Sequence, residues 1–195
     1  MQKIDLKAQL KTIYSASSRR PAIVEVPEMN YLKIDGRGNP SQTEFQEAAQ
    51  TLFPVAYTLK FMVREKLDID FKVMPMEVIW NIDRENKEYY WTMMLMQPGC
   101  ITNDLFITAC HLVKQKHNPK SLDKVGFESL SEGLCAQIVH KGSYENMNST
   151  LEKMLMFINQ EGYKSNRDTH DIYLNNVTKT KQENLKTIMR LKIWR

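Results

Sequence analysis

The segment Met74-Pro-Met-Glu-Val-Ile-Trp-Asn-Ile82 precedes a charged stretch, residues 83–88, which leads into Tyr89-Tyr-Trp-Thr-Met-Met-Leu-Met96. Two runs rich in β-branched, aromatic and long apolar residues around a polar tip predict a β-hairpin. Both runs are apolar on both faces, so we expect one face to be covered and the other to line a cavity. Glu77 is the exception, because a buried carboxylate costs several kcal/mol unless it is paired or contacts a ligand. The pattern leaves two alternatives for Glu77, a structural ion pair and a ligand-facing anion.

Composition excludes several classes of protein. The 195 residues suffice for one domain, or for two small lobes that share an interface. The net charge of +4 has no basic arm, which gives little support to direct nucleic-acid binding. The apolar runs are shorter than the roughly 18 residues of a membrane span, and we expect no leader peptide. Three cysteines without metal-type spacing and four histidines without a metal motif favour a cytoplasmic protein with free thiols, no metal and no cofactor.

Apolar periodicity and capping residues predict the other elements of the chain. Residues 1–20 form an N-terminal arm, with a short helix at Asp5 to Tyr14 or no fixed structure. Pro54 predicts a kink within the first long helix. Strands are predicted at residues 22–26, 31–35, 125–129, 134–139, 170–174 and 187–194, and helices from a capping box at Ser41 to Lys60, over 103–116 after Thr102, and from Ser143 to Gly162.

An internal repeat organises these elements. A strand, a glycine turn, a helix that begins at a serine, and two strands occur at residues 31–96 and recur at residues 135–194. Glu77 and Asp171 fall at equivalent places, each on the strand after its long helix. Two similar α+β halves would form a cleft at their junction, and such junctions are favoured ligand sites.

Five motifs, in this order and spacing, resemble the GyrI-like small-molecule-binding domain family, which includes gyrase inhibitors and AraC-type effector-binding domains. The resemblance covers about residues 20–195. The motifs are Met76-Glu-Val-Ile-Trp80, Tyr90-Trp-Thr-Met-Met-Leu-Met-Gln-Pro98, Gly142-Ser-Tyr-Glu145, Asn159-Gln-Glu-Gly-Tyr163 and His170-Asp-Ile-Tyr-Leu174.

The resemblance implies an α+β fold: two β-α-β-β modules in tandem, related by a pseudo-two-fold axis, which form one curved antiparallel sheet with the long helices on one face. We expect a single domain over residues 21–195, with one module at about 21–118 and the other at about 125–195. Family members bind lipophilic, often cationic or planar compounds. Some are effector domains of transcription regulators, some are linked to toxin resistance, and some resemble hydrolases that open cyclopropane-bearing alkylating agents.

The chain departs from the family pattern at three places. The family usually has a second tryptophan where this chain has Asn81, a glutamate where it has Asp171, and an aspartate where it has Gly99. Asn81 shares a strand face with Glu77, so one aromatic wall of the expected pocket is missing. The first two changes weaken the transfer of a hydrolase activity.

The candidate ligand-binding residues are two carboxylates and their polar or aromatic neighbours. Carboxylates attract cations or perform acid–base chemistry, and aromatic rings stack on planar or cationic groups. For each aromatic residue, ordinary core packing is the alternative. The set is Glu77, Trp80, Asn81, Tyr90, Trp91, Tyr144, Asp171 and Tyr173, of which Glu77 and Asp171 would be catalytic if the protein is an enzyme.

These residues support three hypotheses about function. The first is a stand-alone cytoplasmic protein that binds lipophilic, cationic or planar aromatic compounds. The second is a hydrolase that adds water to a strained electrophile such as a cyclopropanoid toxin. The third is a regulatory module that binds a protein partner such as gyrase.

One geometric expectation tests the repeat. Glu77 and Asp171 should lie on opposite walls of one cleft, with Tyr173 on the side of Asp171 and Asn81 on the side of Glu77. The long helices should pack on the other face of the sheet and bury Leu52 and Leu155. Repulsion and desolvation should then raise the pKa of at least one carboxyl group.

Overall fold

Ten strands and five α-helices follow one another in the described part of the chain, residues 1–83, 85–86 and 88–195 of a computed structural model. The strands are β1 (Gln2–Ile4), β2 (Ala22–Val26), β3 (Met29–Arg37), β4 (Ile69–Phe71), β5 (Met76–Asp83), β6 (Glu88–Gln97), β7 (Gly126–Leu130), β8 (Gly133–Lys141), β9 (Thr169–Tyr173) and β10 (Lys186–Lys192). The helices are α1 (Leu6–Gln9), α2 (Lys11–Tyr14), α3 (Thr43–Leu67), α4 (Asn103–Lys116) and α5 (Met147–Gln160). Three short 3₁₀ turns lie at Leu122–Lys124, Tyr144–Asn146 and Gln182–Asn184.

The chain forms two compact units whose segments alternate along the sequence. The first unit consists of Met1–Gln9, Met29–Met74 and Ile82–Leu130, and the second of Leu10–Glu28, Pro75–Asn81 and Ser131–Arg195. The units therefore differ from the expected modules, because β2 and most of β5 belong with the later strands. These two segments pair with β8 and β9.

In the first unit, β3 pairs antiparallel with β6 on one side and with β7 on the other. The N-terminal strand β1 pairs parallel with β4, so the predicted arm is part of this unit at its start. Helix α3 packs on β3, β6 and α4. The buried side chains of α3 recur at helical spacing, which gives it the apolar face that the sequence predicts. They are Ala48, Thr51, Leu52, Val55, Ala56, Leu59, Met62 and Val63.

In the second unit, five antiparallel strands lie in the order β2-β8-β10-β9-β5. Helix α5 covers one face of this sheet with Leu151, Met154 and Ile158, which pack against apolar residues of β8 and β10. Leu155 is only partly buried against the same cluster, whereas Leu52 of α3 is 1% exposed. The segment that contains α2 also belongs to this unit and contacts β2.

The α+β class with antiparallel sheet and long packed helices is confirmed. The predicted series of strand, long helix and two strands is present as β8-α5-β9-β10; in β3-α3-β5-β6 the short strand β4 intervenes between α3 and β5. The two-fold relation between them stays a prediction. Strands cover both runs of the expected hairpin, and Arg84 and Lys87 of its predicted turn lie outside the described residues. None of the helices in the described ranges is both long and apolar enough to cross a membrane.

The predicted helix start is right at Thr102, whereas α5 begins at Met147 rather than directly after Ser143, and the start predicted at Ser41 is wrong. The Thr102 hydroxyl accepts a hydrogen bond from the backbone N–H of Leu105, as a helix cap does. Ser143 accepts from Glu145 and opens a 3₁₀ turn that leads into α5. The expected capping box at Ser41 is wrong, because its hydroxyl donates to Asn39 in the preceding turn and α3 begins at Thr43.

Candidate functional site

The two predicted carboxylates lie on neighbouring strands of the second unit but point to opposite faces. In the pairing of β5 with β9, Val78 lies opposite Asp171 and Glu77 lies opposite Ile172. Directly paired residues share a face and consecutive residues do not, so Glu77 and Asp171 are on different sides of the sheet. The expectation that they face one cleft is therefore wrong. We call the two sides the Glu77 face and the Asp171 face.

On the Glu77 face, a chain of ion pairs and hydrogen bonds links three strands and the end of α2. The Tyr14 hydroxyl donates to Oε1 of Glu77 at 2.5 Å, and Oε2 of Glu77 lies 2.9 Å from Nε2 of His170. The other ring nitrogen of His170 lies 2.9 Å from Oε1 of Glu132. Nη1 of Arg190 donates to Oε2 of Glu132 at 2.7 Å. We refer to these five residues as the buried ionic network.

Burial and pairing together set the protonation states of this network. Burial alone would lower the pKa of His170, but the charges and hydrogen bonds of Glu132 and Glu77 outweigh it and raise the pKa to about 9. Burial would raise the pKa of Glu132, but His170 and Arg190 lower it to about 2. At neutral pH His170 is thus a cation between two carboxylates. Glu77 is 0% exposed and occupies the structural ion pair that the sequence left open as an alternative.

On the Asp171 face, a buried carboxyl group has an unused acceptor. Asp171 is 4% exposed, and its Oδ1 accepts no hydrogen bond from the residues that the structure describes. Burial raises the pKa of Asp171 to about 7, although the charge of His170 and a hydrogen bond with Thr169 act in the opposite direction. A carboxyl group in this state can bind a cation, donate a proton or accept one near neutral pH.

Three aromatic side chains lie on the same side of the sheet as this carboxyl group, and we call them the aromatic cluster. The indole N–H of Trp80 on β5 donates to the hydroxyl of Tyr173 on β9 at 3.4 Å. Tyr144, in the 3₁₀ turn before α5, stands edge-on to Tyr173 with ring centroids 5.8 Å apart. Burial and then the charge of Asp171 raise the pKa of Tyr173 well above its ordinary value. Tyr144 is 38% exposed, so the cluster reaches solvent at this ring.

The remaining predicted residues are Asn81, Trp91 and Tyr90. Asn81 is exposed near the end of β5, where its amide donates to Asp168 at 3.5 Å. Trp91, in the first unit, is 2% exposed and packs edge-on against Phe45 at 5.2 Å. Tyr90, also in the first unit, is 43% exposed and donates to Glu88. The structure thus brings together Trp80, Tyr144, Asp171 and Tyr173, places Trp91 in a core, and leaves Asn81 and Tyr90 at the surface.

Sequence reasoning missed Tyr14, Glu132 and Arg190, which complete the buried ionic network. The signal for Arg190 was its place at an inward position of the alternating strand 187–194, where a charge requires a partner. Its partner Glu132 lies 58 residues away in a turn, and nothing in its local sequence marks it as buried. Among the described residues, no group of three or more His, Cys, Asp or Glu side chains is arranged to hold a metal ion.

Comparison with known proteins places the chain in a family. Residues 19–193 match the GyrI-like small molecule binding domain, and the chain belongs to this family. It is therefore a member of a family of small-molecule binding domains. A comparison with curated proteins gave no match.

Several solved structures share the fold of this chain. A structure described as a hydrolase from Listeria innocua is 34% identical, with a TM-score of 0.89 over 98% of this chain and 100% of that chain. A second, described as an uncharacterized conserved protein from Listeria innocua, is 33% identical, with a TM-score of 0.90 over 98% of this chain and 100% of that one. The EcmrR C-terminal domain has the same fold at 11% identity, with a TM-score of 0.53 over 90% of this chain and 98% of that domain.

Proposed function

We propose that the protein binds lipophilic cations, or planar aromatic compounds that carry a positive charge, on the Asp171 face. One observation carries this proposal: a buried carboxyl group with an unused acceptor lies beside three aromatic side chains, one of them partly exposed. Small-molecule binding itself follows from the family. The charge preference is our inference from Asp171.

A cation near Asp171 would supply the interaction that the carboxylate lacks. Desolvation makes the ionised form of Asp171 unfavourable, and a bound positive charge offsets that penalty. The faces of Trp80, Tyr144 and Tyr173 would add cation–π and stacking contacts of about 0.5–2 kcal/mol each. The ligand would enter past Tyr144, whose ring is the exposed member of the aromatic cluster. Glu77 has no part in this proposal because both of its oxygens are engaged.

Sequestration in the cytoplasm is the role that we propose for this binding. Cys100, Cys110 and Cys135 are free thiols, which supports a reducing compartment. Burial raises the pKa of Cys110 to about 11, and burial foremost raises that of Cys135 to about 12, so neither is a reactive thiolate at neutral pH.

Titration of the tryptophan fluorescence, to which Trp80 contributes, with hydrophobic cations tests the proposal. Asp171→Asn should weaken the binding of a cation by about 1–3 kcal/mol, which is roughly 5- to 150-fold, and should leave an uncharged ligand of the same shape almost unaffected. Asp123→Asn is the matched control, since the Asp123 side chain is 89% exposed and lies in the other unit. Equal affinity for cations in the wild type and in Asp171→Asn would contradict the proposal.

A second candidate function, hydrolysis of a strained electrophile, is supported by two observations. The 34% identical structure from Listeria innocua is described as a hydrolase. In this chain, the pKa of Asp171 near 7 suits a group that takes a proton from water and returns it. Asp171 would orient and deprotonate a water molecule whose oxygen bonds to the electrophilic carbon. A tyrosine hydroxyl or the protonated carboxyl group would donate a proton to the leaving carbon or oxygen as the ring bond breaks.

Mass spectrometry separates these two functions. Hydrolysis adds the elements of water and gives a product heavier by 18 Da (about the mass of one water), which should not form in Asp171→Asn. Recovery of unaltered ligand from a saturated complex would instead support binding alone. A reaction that proceeds equally well in Asp171→Asn would exclude the mechanism described here.

A further inference from the structure

An open cleft of about 290 Å³ lies on the Glu77 face of the second unit, on the side of the sheet away from the aromatic cluster. One wall is the end of α2 and the segment after it, which contribute Tyr14, Ser15 and Ser18. The other wall is sheet, with Val139 and Lys141 from β8 and Lys186 from β10. Leu174, just after β9, adds a second apolar surface. Nothing in the function proposed above uses this cleft.

Two lysines lie side by side on the wall of this cleft that the sheet forms. Lys141 and Lys186 are directly paired in the antiparallel ladder of β8 and β10, and both are exposed. Like charges directly opposite one another destabilise a sheet. Neither ammonium group forms an ion pair with a carboxylate of the described chain, and the described residues that line the cleft include no Asp or Glu. The cleft thus concentrates positive charge for which the described residues supply no carboxylate partner.

The opposite wall of the cleft is held in place by hydrogen bonds at three points. The backbone N–H of Val139 donates to the carbonyl of Ser17 at 2.9 Å. The amide of Gln137 donates to the carbonyl of Ser15 at 3.3 Å, and the Tyr14 hydroxyl donates to Glu77 at 2.5 Å. These bonds fix the hydroxyl-bearing residues of the segment against the sheet. A preformed site of this kind loses less entropy when a ligand binds than a flexible one does.

We propose that this cleft binds a small organic anion, a carboxylate or phosphate monoester with a short apolar chain. The anionic head lies between the ammonium groups of Lys141 and Lys186, where it relieves their mutual repulsion and accepts charge-assisted hydrogen bonds. The apolar chain lies against Val139 and Leu174. This site has the opposite charge preference to the Asp171 face, and the two sites lie on opposite sides of one sheet.

Isothermal titration calorimetry at low ionic strength tests this proposal with hexyl phosphate, hexanoate and inorganic phosphate. Hexyl phosphate or hexanoate should bind saturably at one site, and the double variant Lys141→Gln with Lys186→Gln should weaken that binding by about tenfold or more. Inorganic phosphate should bind more weakly than hexyl phosphate because it lacks the apolar chain. The ratio of affinities for hexanoate and hexyl phosphate identifies the preferred head group, and a preference for either supports the proposal.

Two control variants keep the test specific. Lys192→Gln removes an exposed lysine of β10 outside the cleft, and Asp171→Asn alters the opposite face; each should change the affinity by less than about twofold. The double variant should fold, with a melting temperature equal to or above that of the wild type, because it removes a repulsive pair. The proposal would be overturned if neither hexyl phosphate nor hexanoate gave saturable binding. It would also be overturned if the double variant and Lys192→Gln lost affinity equally, or if only Asp171→Asn lost affinity.

Discussion

Arg190 carries a permanent charge at a position where 0% of the side chain is exposed. The charge is tolerated because the guanidinium donates to Glu132, to the carbonyl of Ile13 at 2.6 Å and to Gln137 at 3.3 Å. His170 and Glu77 then extend the alternation of charge. Removing one member of such a chain leaves another buried charge without its partner, which costs more than the pair contributes when intact.

Glu77→Gln should therefore reduce the free energy of unfolding by about 3 kcal/mol, because His170 loses one of its two carboxylate partners. Denaturant titration measures the change. An NMR titration should show a lower pKa for His170 in the variant, since Glu77 helps to raise it. Glu128→Gln is the control, because Glu128 is exposed and its ion pair with Lys33 should contribute at most about 1 kcal/mol. Equal losses in the two variants would show that Glu77 contributes no more than a surface charge.

Asp171 should make the wild type less stable as pH rises. Its pKa is raised from 3.8 to about 7 in the folded protein. Between these values the folded state binds more protons than the unfolded state, so the contribution of this group to stability is greatest below about pH 4 and is lost as pH rises through 7. Asp171→Asn should remove this loss and be more stable than the wild type at pH 8 by about 2–4 kcal/mol. Denaturant titrations from pH 4 to 8 measure it, and a constant difference between the proteins would contradict the prediction.

At the scale of the elements, the sequence predicted which side chains of one strand share a face. It did not predict the register in which two strands pair. Alternation within β9 placed Asp171 and Tyr173 on one face, which the structure shows through the shared contacts of the aromatic cluster. The relative face of Glu77 depends on the register of β5 against β9, and a shift of one residue reverses it. Nothing in either strand alone sets that register. The repeat in the sequence suggested equivalence between Glu77 and Asp171, and the pairing of Val78 with Asp171 excludes a common face.

Helix boundaries were likewise predictable where local sequence sets them and were missed where the surrounding structure sets them. Residues 103–116 were predicted with the bounds that the structure has, because a cap at Thr102 and an apolar stripe are local signals. Ser41 has an equally good local pattern, yet its hydroxyl bonds to Asn39 in the turn. A short polar side chain can satisfy either a turn or a helix end, and the surrounding structure decides between them.

Contact between β3 and β6 requires a glycine at one place in the first unit. A Cβ atom at Gly36 would lie 2.3 Å from the ring of Trp91, which is itself packed against Phe45. Gly36→Ala should therefore reduce the free energy of unfolding by about 1–3 kcal/mol, because a buried ring cannot move aside without strain. Gly99→Ala is the matched control: a Cβ there would have no atom within 4 Å, so stability should change by less than about 1 kcal/mol. Equal melting temperatures for all three proteins would contradict this account.

At the scale of the whole molecule, the second unit gathers most of the chemistry from distant parts of the chain. Its three segments bring β2, β5 and the C-terminal strands into one sheet with two chemically different faces. The Glu77 face neutralises its buried charges internally, whereas the Asp171 face leaves a carboxyl oxygen unused. Ligand binding, protonation and folding are thus coupled through Asp171, and any ligand that binds only the folded state shifts the unfolding equilibrium of the protein.

A cationic ligand should therefore stabilise the protein in a way that depends on pH. A permanently charged planar cation, N-methylquinolinium, prefers ionised Asp171, whose pKa without ligand is about 7. Its affinity should be nearly constant above pH 8 and fall by about tenfold per pH unit below 7, as protons compete for the carboxylate. At 100 times the dissociation constant the ligand should add about 2.7 kcal/mol to the free energy of unfolding, and this gain should shrink as pH falls. Thermal shift and fluorescence titrations over pH 5.5–8.5 (a range of about 1.5 units on either side of that pKa) measure both effects.

The uncharged 2-naphthylmethanol and the variant Asp171→Asn should each give a flat profile, because neither pairing contains a cation opposite a titrating carboxylate. A steep fall that persists in Asp171→Asn would place the titrating group elsewhere, and a flat profile in the wild type would mean that the cation does not contact Asp171.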